Sequence, residues 1–180
     1  MEFDEKEYTL DFFKEEGYVR KKCKSCGKFF WTLNKELEYC QDFPCVEYSF
    51  FDNKYNIDLD YVRNSFIDFF EKNNHKYIQP RPVLARWRED IFLTIASIAV
   101  FQPFVTNGIV DPPANPLVIS QPCIRLKDID LVGQTAGRHL TIFEMMAHHA
   151  FNSKEKYVYW KDETLRYCND FNTCLLYTSD

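Results

Sequence analysis

Residues 120–152 read SQPCIRLKDIDLVGQTAGRHLTIFEMMAHHAFN. Together with the apolar residues just before them, they contain two extended segments and a polar joint. The segment 117–125 carries Leu117, Val118, Ile119 and Ile124 and reads as a strand. Pro122 within it points to an edge position or an irregular strand end. The segment 126–137 is polar, holds Gly133 and Gly137, and reads as a loop. The segment 139–146 again reads as a strand. Two strands joined by a long polar loop are expected to form an antiparallel pair.

Upstream, the apolar period changes. Leu59, Val62, Phe66, Phe69 and Phe70 recur at three- and four-residue intervals, so 58–75 is predicted as an amphipathic helix. Asp58 or Asp60 can cap its start, and Asn73-Asn74 suits its end. Pro80 and Pro82 forbid its continuation. The β-branched run 91–95 is predicted as a buried strand, and the proline-rich 111–116 as a rigid loop.

Four cysteines precede this region. Cys23 and Cys26 are separated by two residues, Cys40 and Cys45 by four, and thirteen residues lie between the pairs. Two tight turns can each present two thiolates to one ion, which predicts a closed tetrahedral zinc site of structural type. Basic residues around the first pair (Lys21, Lys22, Lys24, Lys28) would ease the charge of four sulfurs. Cys123, Cys168 and Cys174 have no partner at ligand spacing. His148 and His149 are neighbours whose side chains point apart, so no shared metal is expected.

The chain has 180 residues and a formal net charge of −5, which argues against a simple basic nucleic-acid module. No apolar run approaches the roughly 20 residues of a membrane span, and the cysteine usage fits a reducing cytoplasm. The expected organisation is an N-terminal extension with a zinc-ribbon-like lobe over 1–57, followed by an α+β domain over 58–180.

The residue types of 120–152 suit a nucleotide held against a sheet. Arg125 ends the first strand, where a guanidinium can grip a phosphate in a bidentate manner. Phe143 offers a flat apolar face and Glu144 an acceptor beside it. By themselves these features leave ordinary alternatives open: a solvated surface arginine and a core phenylalanine. No GxxxxGK[ST] loop or GxGxxG fingerprint is present.

Longer strings carry a resemblance. RPVLARWRED (81–90), FLTIASI (92–98), FQPFVTNG (101–108), PPANPLVISQPCIRL (112–126), GRHLT (137–141) and FEMMAHHAFN (143–152) resemble archaeal alanyl-tRNA synthetases. So does the cysteine-bearing segment, and the likeness spans roughly 10–170. The resemblance implies a class II synthetase fold, an antiparallel sheet with flanking helices, with 58–95 similar to motif 1 and 120–146 to motif 2. It implies activation of alanine by ATP with Mg2+, then transfer to tRNA(Ala).

By the same resemblance, Arg125 matches the arginine on the α-phosphate, Phe143 the ring on adenine, and Met145 the methionine lining the adenylate pocket. Lys127, Asp128, Arg138 and His139 are weaker candidates for polyphosphate or acceptor-end contacts. Leu131 stands where the family usually has Asn, and 134–137 is one residue longer than usual. Motif 3, editing and oligomerisation regions are expected downstream of this chain, which is therefore expected to be inactive alone. Two alternatives use other chemistry: a zinc-containing RNA-binding module built on Arg20–Lys35 and its aromatics, and an inactive synthetase paralogue.

Overall fold

The computed structural model describes residues 9–42, 44–46, 57–135 and 139–177. The chain divides into two compact units, Met1–Asp52 with Trp160–Asn169, and Asn53–Tyr159 with Asp170–Asp180. Among the described residues, no helix is long and apolar enough to cross a membrane.

The first unit holds a short helix α1 (Asp11–Glu15) and an antiparallel hairpin of β1 (Val19–Lys22) and β2 (Phe29–Thr32). Aromatic rings supply its small core. Phe13 stacks on Trp31 with centroids 4.4 Å apart, and Phe12 is buried. The Phe12 amide donates to Asp162 Oδ1 at 3.2 Å, and Arg166 pairs with Glu15.

The second unit opens with α2 (Leu59–Lys72). Asp58 caps it, accepting from the Tyr61 amide at 2.7 Å. Phe66 and Phe70 form its buried stripe, Phe69 is half-buried, and Leu59 is exposed. Asn74 adopts a left-handed conformation (φ 62°), and the His75 amide returns to the Phe70 carbonyl at 2.9 Å. Asparagine tolerates that geometry, so the helix ends where the Asn73-Asn74 pair predicts.

A three-stranded sheet follows. β3 (Lys76–Tyr77) runs parallel to β4 (Leu117–Ile124), which pairs antiparallel with β5 (Ile142–His149). The second strand lies three residues beyond the predicted 139–146. His148 and His149 belong to the ladder, opposite Val118 and Leu117. A final helix, α3, spans Lys161–Tyr177.

Pro122 sits in the middle strand of the sheet, yet β3 pairs only with Leu117 and Val118. The Arg125 amide donates to Thr141 on β5 and the Ile124 amide to Thr94 on the other side. Alternation then turns the Pro122 nitrogen away from β5, where no ladder bond is lost.

The predicted buried strand over 91–95 does not form. Leu84 and Leu93 make one isolated bridge, while Phe92 is 88% exposed and Ile95 48%. The Ala85 amide donates to Phe92 and the Thr94 amide to Val83, but the Thr94 carbonyl accepts from Ile124 of β4 instead of from Val83, so the pairing stops at one bridge.

β4 buries both faces. One packs Leu117 and Ile119 on Phe101, with Ile98 and Phe151 around them. The other faces α2, where Phe70 stacks on His148 of β5 at 4.3 Å.

Candidate nucleotide and metal sites

Strand alternation sorts the candidate residues. Cys123 lies opposite Phe143 and Gln121 opposite Met145, so the odd-numbered residues of both strands share one face, which continues to Arg125. The Arg125 guanidinium carbon lies 5.1 Å from the centroid of the Phe143 ring. Its Nε donates to the Ile95 carbonyl at 2.8 Å. That one bond aims the side chain and leaves the terminal nitrogens for a further acceptor. Arg125 is exposed and has no carboxylate partner among the described residues. It borders an open cleft of about 630 Å³, whose wall includes Phe92, Ile95, Ile124 and Lys127.

Phe143 is half-buried beneath the guanidinium. Met145 lies farther along the same face, where its sulfur accepts from the Ser97 amide at 3.3 Å. Asp128 takes a left-handed conformation (φ 54°) and starts a 3-10 turn, Ile129–Leu131. His139 is tied to the loop rather than open to it: its amide donates to Thr135 Oγ1 at 3.0 Å, and its Nδ1 lies 3.2 Å from the same oxygen. Arg138 lies outside the described residues.

Glu144 occupies the opposite face. Arg63 of α2 donates to it through Nε at 2.6 Å and through Nη2, and Ser120 Oγ donates at 2.8 Å. The Arg63 guanidinium, then the Ser120 hydroxyl, hold the Glu144 carboxyl below the usual carboxylate range, against the opposing effect of burial. Glu144 therefore clamps β5 to α2 and does not meet the Arg125–Phe143 face. Arg63 and Ser120 were not singled out from sequence. A signal for Arg63 existed, because it stands three and seven residues before Phe66 and Phe70, on the buried stripe, where a cation needs an acid.

The two histidines separate as their adjacency requires. His148 Nδ1 lies 2.7 Å from Tyr159 Oη, and His149 Nε2 lies 3.2 Å from Ser97 Oγ on the other face. Burial lowers both to about 4, so each is neutral near pH 7.

In the first unit the four cysteines converge, with all ligand sulfurs within 4.8 Å of one another. Cys26 Sγ and Cys40 Sγ lie 3.8 Å apart. A tetrahedron with Zn–S near 2.3 Å has edges of about 3.8 Å, so this spacing fits a four-thiolate site. The turn after β1 builds the first pair: Gly27 takes φ 72° and its amide bonds the Cys23 carbonyl at 3.0 Å. The Cys40 amide donates to Cys23 Sγ at 3.4 Å.

Backbone amides, that of Cys26 foremost, pull the Cys23 thiol down to about 6. Cys40 goes the other way, to about 12: the Asp42 amide lowers it, but burial and the neighbouring thiols outweigh that amide. Four sulfurs this close cannot all ionise without a cation, and the cluster can hold a metal.

Residues 61–178 match the family model described as tRNA synthetases class II (A). The chain is 58% identical over 175 residues to the alanine–tRNA ligase of Hyperthermus butylicus, covering 96% of this chain and 19% of that protein. It is 59% identical over 169 residues to that of Methanoregula boonei, covering 93% and 18%. It is 57% identical over 176 residues to that of Saccharolobus islandicus, covering 96% and 20%. The chain thus spans about a fifth of the length of the curated relatives it matches. With its antiparallel hairpin backed by α2 and a family match over most of its length, the chain belongs to the class II (A) tRNA synthetases.

Proposed function

We propose that this chain is the ATP-gripping part of an alanine–tRNA ligase. The whole protein would join alanine to the α-phosphate of ATP and pass the aminoacyl group to tRNA(Ala). The observation that carries this reading is the Arg125 guanidinium over Phe143 on one sheet face, beside an open cleft. A phosphate and an adenine of one ATP must be reached from one surface. In the activation step a carboxylate oxygen of alanine attacks the α-phosphorus and pyrophosphate leaves. That step needs positioning and charge neutralisation more than covalent chemistry. Arg125 holds the α-phosphate oxygens, Phe143 stacks on the base, and Met145 lines the pocket. Mg2+ bound with ATP would neutralise the leaving phosphates, and Lys127 stands in the cleft wall to meet them.

Glu144 takes a positioning role through Arg63. The four-cysteine cluster holds a structural zinc ion, and 1–57 and 58–180 serve as zinc lobe and catalytic portion. The reducing setting that thiolate ligands require favours the cytoplasm.

Saturation-transfer NMR of ATP with the 180-residue chain tests the nucleotide site. Arg125→Ala should weaken binding about tenfold or more, the value of one charge-assisted contact. Phe143→Ala should abolish transfer to the adenine protons. Unchanged ATP signals in both variants would reject the site.

A further inference from the structure

A second cavity, of about 600 Å³, lies on the other arm of the Leu84–Leu93 bridge. Arg81, Arg86, Trp87 and Phe104 line it, with Leu84 and Val100 between them. None of these residues belongs to the Arg125 cleft or to the cysteine cluster. The wall is built before any ligand arrives. The Arg81 amide donates to Gln121 Oε1 and its carbonyl accepts from Gln121 Nε2, both at 2.9 Å, and Gln121 is fully buried. The Trp87 indole donates to the Ala99 carbonyl at 3.4 Å, which fixes the ring half-buried.

The nearby arginines divide sharply. Arg88 is spent on Asp90 and Gln102, which brace the turn. Arg81 and Arg86 are exposed, border the cavity, and have no carboxylate partner among the described residues. Two open guanidinium groups over an aromatic floor fit an anion that carries a flat ring. Volumes of about 300–1,000 Å³ are typical of small-ligand sites, so one nucleotide fits.

We propose that this cavity binds an unpaired nucleotide of single-stranded RNA, its base against Trp87 and Phe104 and its phosphates at Arg81 and Arg86. This rests on the ligase reading, which supplies the RNA substrate. Aromatic faces accept any unstacked base, and arginines track the backbone. A duplex would be excluded, because its bases are already stacked.

Fluorescence anisotropy with a short, unstructured, end-labelled RNA tests the proposal on the full chain. Arg81→Gln with Arg86→Gln should weaken binding about tenfold and flatten the salt dependence by about 1.4, two phosphates at about 0.7 each. Phe104→Ser, at a ring that is 47% exposed, should erase the preference for single strand over duplex. In a Trp31→Phe, Trp160→Phe background, RNA should quench the remaining Trp87 emission. ATP binding should survive the Arg81 and Arg86 changes.

Lack of RNA binding by the parent chain, or unaltered binding by the double variant, overturns the proposal. So does a monomer–dimer shift in the variants, which would make a second copy the occupant. RNA binding without ATP binding would instead reject the ligase reading and leave this site standing.

Discussion

Replacing Glu144 by Gln separates positioning from contact. The carboxylate accepts from Arg63 Nε, Arg63 Nη2 and Ser120 Oγ. An amide keeps the shape, but its NH2 group faces the Arg63 donors and the charge is lost. Hydrogen bonds to charged groups contribute about 1.5–3 kcal/mol. The side chains are only 27% and 19% exposed, so water replaces them incompletely. Arg63 keeps its second partner, Asp60, which limits the damage. A loss of about 2 kcal/mol is therefore expected, or about 4–8 °C in Tm for a chain of this size.

The loss has a pH signature. The folded-state pKa of Glu144 lies below its unfolded value, so its contribution is fully present above that unfolded value of about 4.3. It disappears as pH falls through the lower, folded value. Calorimetry should find the gap between the parent chain and Glu144→Gln widest near neutrality and closing below about pH 4. At a temperature where both are folded, the variant should keep its ATP affinity within about threefold, under 1 kcal/mol. The reasoning fails if ATP affinity falls tenfold while Tm is unchanged, because Glu144 would then touch the nucleotide itself.

Two further outcomes are expected. Elemental analysis should give about one zinc ion per chain, falling below half in Cys40→Ser; metal-free protein whose melting curve ignores a chelator would reject the site. Phe70 is fully buried and stacked on His148, so Phe70→Ala should cost about 3–5 kcal/mol in urea unfolding, and a loss under about 1 kcal/mol would mean that α2 does not pack as described.

The hairpin was legible because its cues agree. Apolar extended runs on both sides of a glycine-bearing polar loop predict β4, loop and β5. Their limits were less legible. The strand expected over 139–146 stops short of His148 and His149, yet each ring packs on an aromatic neighbour, His148 on Phe70 and His149 near Phe101, so the ladder continues through them. The error over 91–95 has a different cause. β-branched composition measures fitness for a pleated surface, but only a continuous ladder makes a strand, and here the Thr94 carbonyl turns to the Ile124 amide of β4 rather than to the facing Val83. The cysteine cluster needed no such context, because ligand spacing within each pair is a local property of the turn.

Phe143 and Glu144 show where adjacency misleads. As neighbours in sequence they invite one role, a ring with an acceptor beside it. In a strand they are as far apart as the sheet is thick. The same alternation that lays Arg125 over Phe143 sends Glu144 to α2, so the two residues cannot share one role. In the proposed site Phe143 would offer the surface on which a base stacks, and Glu144, held by Arg63, fixes β5 against α2. Arg63 completes the logic from the helix side. A cation in the Phe66–Phe70 stripe is tolerable only where an acid meets it, and the one residue that both lies on the α2 face of β5 and carries a negative charge is Glu144.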